Sequence, residues 1–203
     1  MLAGLSIFVT FAAVRAISES WINEDFPEAL AVKLELLPLI FPVHMIAGGL
    51  ALLLVPLAMA LRGTRWHKFL GRIAAVDVVL AGLTAIPVAL EQPVTRISAA
   101  GFTAQALTWM TLLGFGIWHI LNGRVAQHRA AMLMMAAVTS GALFFRIYLA
   151  LWNVVGEGRH FKTFYACDAW VAWMVPLVVT AVLIKSGWLK NQWPKHQAST
   201  NPA

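Results

Sequence analysis

The sequence predicts an all-α polytopic membrane protein, a six-transmembrane-helix bundle in which spans 2–3 and 4–5 form an internal two-hairpin repeat. Three observations predict it. The 203 residues are 60% hydrophobic and 12% charged, with mean hydropathy +0.75. Soluble domains carry about 45–50% apolar and about 25% charged residues. Six apolar runs approach the roughly 20 residues that cross a hydrocarbon core about 30 Å thick. The basic residues, which give a net charge of +6, cluster between runs.

The runs follow in order. The first is about Leu2–Ile17; it lacks a basic leading segment, and Arg15 stands where a cleavage site needs small residues, so it reads as a span. Ser18–Pro42 is the longest connection, and Ala29–Ile40 within it is expected to form a short interfacial helix. The second run is Val43–Leu61, opened by Phe41-Pro42, a good helix start. The third is about Phe69–Leu90, the fourth Gly101–Leu121, the fifth Ala130–Trp152 and the sixth Phe164–Ile184. Pro56, Pro87 and Pro176 fall inside runs, which membrane helices tolerate. Residues 1–185 make one membrane domain, and 186–203 a polar cytoplasmic tail.

Loop charge sets the orientation. One surface, side B, holds Arg62, Arg65, Lys68, Arg72, Arg124, Arg129, Lys185, Lys190 and Lys195, with no acid. The other, side A, holds Lys33, Arg96, Arg159 and Lys162 together with seven acids. The positive-inside rule makes side B cytoplasmic. Both termini are then cytoplasmic. The basic segments suit anionic lipid rather than nucleic acid. The single cysteine, Cys167, excludes an intrachain disulfide, a four-thiolate iron–sulfur site and covalent haem attachment.

The two hairpins carry matching residues. His44 and His67 are 23 apart (67 − 44), and so are Gln105 and His128 (128 − 105), with 61 residues between copies. Each copy has an apolar helix, a short basic turn and a His-basic pair, His67-Lys68 and His128-Arg129. Spans 3 and 5 run the same way, which puts His67 and His128 at equal depth near side B. Such imidazoles can take both axial positions of one haem b, with Lys68, Arg72 and Arg129 to neutralise propionates and His119 as a substitute ligand. His44 opens span 2 at side A, where its counterpart is Gln105 rather than a second histidine. Each histidine also has a plain structural reading, as an interfacial anchor or a packing residue.

Arg15, Asp77, Arg146 and Asp168 are ionisable residues inside spans, where charge is costly and faces the bundle or a cavity. Arg15, Arg146 and Asp168 lie in side-A halves, and with Gln105 they define a candidate polar pocket; a structural Arg–Asp pair is the alternative. His128 and Arg146 are 18 residues apart, five turns at about 3.6 residues each. Their shared face carries Met132, Met135 and Thr139, and lines either a polar path or the core.

The strings His44-Met-Ile-Ala-Gly48, Trp66-His67-Lys-Phe-Leu-Gly71-Arg72, Trp109, His128-Arg129-Ala-Ala-Met132 and Arg146 resemble a bacterial family of predicted membrane proteins of unknown function, over about residues 40–150. Lys68 replaces the family's usual Arg, which keeps the charge and loses the fork geometry. The layout is more distantly similar to six-span dihaem b-type cytochromes, whose ligands pair span 2 with 4 and span 3 with 5. That likeness implies one haem between His67 and His128 and leaves His44 without a histidine partner.

Four functions compete. The first is a one-haem electron carrier exchanging electrons with quinol or a partner protein. The second is a metal hydrolase on His67, His119 and His128, which lacks a nearby general base. The third is a transporter or binding protein for a small anion or lipid head group, using Arg15, His44, Arg146 and Asp168. The fourth is a helper subunit. A homodimer is compatible with any of them.

Overall fold

A computed structural model describes residues 28–157 and 159–187, with the side chains of 28–31 left out. The first apolar run, Arg15 and the tail from 188 lie outside the described residues. Among the described residues there are six helices and no strand: α1 Glu28–Leu36, α2 Ile40–Ala60, α3 Arg65–Leu90, α4 Arg96–Leu121, α5 Val125–Val155 and α6 Phe161–Lys185. The last five are long and apolar enough to cross a membrane. They correspond to the second through sixth runs.

α3, α4, α5 and α6 outrun their apolar stretches because their polar ends stay helical in the interface. With 26 residues α3 spans about 39 Å, and with 31 residues α5 about 46 Å, at 1.5 Å per residue. α2 begins at Ile40, so Pro42 falls in its first turn, where the missing N–H has no intrahelical partner to lose. α4 starts on a capping box: Thr95 Oγ1 accepts from the Ser98 N–H at 3.0 Å and Ser98 Oγ accepts from the Thr95 N–H at 3.1 Å. α3 begins four residues before the apolar run does, which places His67 in its first helical turn.

α2, α3, α4 and α5 pack in a closed ring, each against the next, with α5 returning to α2. α6 lies outside in the groove of α4 and α5, and α1 rests on α2. The centre of the ring takes side chains from all four helices: Ala51 and Val55 of α2, Val78 of α3, Leu113 of α4 and Met135 of α5. Large apolar side chains point outward, among them Val76 at 71% and Val154 at 80% exposure. Water would penalise so much apolar surface, whereas lipid accepts it. Lipid tails are as apolar as the side chains, so close approach through small residues holds membrane helices together. The interfaces here are accordingly rich in alanine and glycine.

Lys33 ties α1 to the end of α3. Lys33 Nζ donates to Val88 O at 2.8 Å and to Glu91 O at 2.5 Å, capping the carbonyl end of α3. A cation there also meets the negative end of the helix dipole. Burial draws the Lys33 ammonium below the ordinary lysine range, and nearby Glu91 opposes that shift. Replacing Lys33 by methionine is expected to cost about 1–2 kcal/mol, read as a lower melting temperature in detergent.

Candidate functional site

At side B two imidazoles occupy equivalent places. His67, in the first turn of α3, has Nδ1 2.7 Å from Ala58 O in the last turn of α2. His128, in the first turn of α5, has Nδ1 2.8 Å from Gly116 O of α4. A carbonyl only accepts, so each Nδ1 carries the proton, and in the neutral ring each Nε2 keeps its lone pair. This is the arrangement in which a backbone oxygen orients a metal-binding histidine. α3 and α5 stand diagonally across the ring. Both rings are half-buried at the same end of it.

At side A the pattern repeats with a substitution. His44 of α2 donates Nδ1–H to Ala81 O of α3 at 3.1 Å. Gln105 of α4 donates its amide to Val138 O of α5 at 3.3 Å. Each hairpin is therefore strapped at both ends by a side chain reaching a carbonyl of its partner helix. Three straps are histidines and the fourth is a glutamine. An amide performs the strap's hydrogen bond as well as an imidazole does, but offers no comparable lone pair to iron.

The remaining candidates separate. Arg72 and Arg129 are exposed beside the side-B histidines. The Nδ1 of His119 is buried without a partner, and its ring lies 4.9 Å from that of Trp118. His67, His119 and His128 do not form a metal-holding group; none exists among the described residues. Met132, Met135 and Thr139 form a packing face: Met135 is buried in the central cluster, with Met132 against it. Thr139 Oγ1 donates to Met135 O and accepts the Trp109 indole N–H, both at 2.9 Å.

The Arg146–Asp168 ion pair does not form. Arg146 Nη1 turns back to Ala142 O on its own helix, at 2.7 Å. Among the described residues, Asp168, 3% exposed, has no partner on either carboxylate oxygen. Tyr165, one turn before Asp168, lies within electrostatic reach of both Arg146 and Asp168, and Arg146 within reach of His44. Tyr165 was not among the residues the sequence singled out. A tyrosine one turn from an intramembrane acid was the available signal.

Lipid-facing apolar helices around a ring strapped by polar groups define a polytopic helical membrane protein. The model of a family described as predicted membrane protein (DUF2306) matches residues 41–184. The chain belongs to that family, whose function is unknown. No curated protein and no solved structure matches it significantly.

Proposed function

We propose that this protein is a membrane electron carrier that holds one b-type haem between His67 and His128. Electrons would be exchanged with quinol or a partner protein. The observation that carries the reading is the paired anchoring of the two imidazoles. Each is held through Nδ1 by a backbone carbonyl, each keeps Nε2 for a metal, and both sit at one end of the ring on diagonal helices. The donor set fits haem: two neutral imidazoles, exposed Arg72 and Arg129 for propionates, and no side-B carboxylate to compete. Met59 and Met132 close the core at that end. They are unbranched side chains that re-pack readily around an inserted group. When bound, the haem supplies one-electron chemistry; the chain's own residues position it, screen it from lipid and balance its charge.

In this reading side B faces the cytoplasm of a bacterium, the first apolar run is a sixth span, and the two hairpins are copies of one unit. The four straps support the copying. Offset by 61, His44 and His67 fall on Gln105 and His128, although the accepting carbonyls shift by about a turn: Ala58 would map to 119, while the acceptor is Gly116. The test is haem content after expression with haem supplied. One haem per chain by pyridine haemochrome is expected, and protein purified without haem contradicts the proposal.

A second reading, binding of a small anion or lipid head group at side A, is favoured by the convergence of His44 and Arg146 from separate helices. If it holds, Arg146→Gln is expected to weaken binding of phosphate or a phosphorylated head group about tenfold, about 1.4 kcal/mol. Equal affinity in calorimetry would dismiss it.

A further inference from the structure

Asp168 lies seven residues inside α6 and is enclosed at 3% exposure, with neither carboxylate oxygen hydrogen-bonded among the described residues. The helices around it leave little room for water. A Cβ on Gly101 of α4 would stand 2.8 Å from Ala169 O, and one on Gly141 of α5 would stand 2.6 Å from Trp173 Cβ. The ionisable groups on the packed elements are few. α6 itself carries Tyr165, with Lys162 and exposed Cys167 nearby and His160 just before the helix. α5 brings Arg146 and Tyr148, and α4 carries the neutral Thr103 and Gln105 in this stretch, with Arg96 at its start. Among the described residues the cation close in depth is Arg146, which is engaged by Ala142 O.

An unpaired ionised carboxylate in such a place costs far more than an unpaired hydroxyl proton. Intramembrane acids of this kind are proton-exchanging groups in many membrane proteins. We propose that Asp168 is a proton-binding site: its carboxyl group holds a proton in the resting fold and exchanges it with the side-A surface. The step is a single O–H bond broken or made. The carboxylic acid becomes a carboxylate, the proton passes to water, and no electron moves. The site lies at the opposite end of the bundle from His67 and His128 and does not rest on haem being bound.

The chain has three aspartates, Asp25, Asp77 and Asp168. In an Asp25→Asn/Asp77→Asn variant, Asp168 is the sole aspartate left. With carbon-13 in the aspartate carboxyl groups, infrared spectra of this variant in lipid nanodiscs read Asp168 without altering it. The expected result is the carbonyl band of a protonated carboxyl at neutral pH, lost at alkaline pH and missing from Asp168→Asn in the wild-type background. A carboxylate band alone at neutral pH overturns the proposal. So does labelled wild-type protein that shows no protonated aspartate, a reading that needs no variant to fold.

Discussion

His67→Gln and His128→Gln are each expected to fold normally and to lose the haem, with the Soret band absent from the purified protein. Glutamine is the informative replacement because the protein already uses it. Gln105 makes at side A the cross-hairpin bond that His128 makes at side B. A glutamine at 67 or 128 therefore keeps a donor for Ala58 O or Gly116 O while removing the proposed iron ligand. If these histidines were straps alone, the glutamine variants would behave as wild type in every assay, haem content included. His44→Gln and His119→Gln are expected to leave haem content unchanged, since neither belongs to the pair. His128→Met is expected to keep the haem and raise its potential, as thioether ligation does. Redox titration followed in the visible spectrum checks the last of these.

Gly141→Ala and Gly101→Ala are expected to cost about 3 kcal/mol each, at the upper end of ordinary overpacking. A methyl at 141 would meet Trp173 Cβ at 2.6 Å, Gln105 Nε2 at 2.8 Å and Trp173 Cα at 3.0 Å. Two of those atoms are fixed by the course of α6, and the third belongs to a strap. A methyl at 101 would meet Ala169 O at 2.8 Å and Trp170 Nε1 at 2.9 Å. Neither can yield freely, because the oxygen is backbone and the indole N–H donates to Ile97 O. Both substitutions push α6 off its groove. Gly116→Ala provides the contrast. Its nearest atom is closer still, but that atom is Met132 Cε, the free end of a flexible side chain. Its cost is expected to stay below about 1 kcal/mol. Thermal unfolding in detergent should rank Gly116→Ala well above the other two, and equal melting temperatures would refute this account of the packing.

Much of the fold was legible in the sequence because the bilayer dictates it. Apolar runs of spanning length fixed the five helices from α2 to α6, and the connection before α2 held a short helix as expected. Helix ends were less legible. Hydropathy ends where charge begins, whereas hydrogen bonding continues through Arg65-Trp66-His67 and Arg96-Ile97 into the interface. At the site, shared spacing placed the side-B histidines at one end of one bundle. It could not reveal the hydrogen bond that orients each ring, because the accepting carbonyl belongs to another helix and leaves no trace in residue type. The same limit hid the role of Gln105, which spacing marked as a broken ligand position and geometry makes a strap. Arg146 and Asp168 stood out as charges inside spans, but only Asp168 is buried, and opposite sign alone does not bring two side chains together. The guanidinium found a carbonyl on its own helix instead.

The most direct measurement is electron paramagnetic resonance of the oxidised, haem-loaded protein. Two imidazoles on one iron predict a low-spin ferric signal that vanishes in His67→Gln and His128→Gln. A high-spin signal in the wild type, or a low-spin one that survives both substitutions, would contradict the assignment of His67 and His128 as the axial pair.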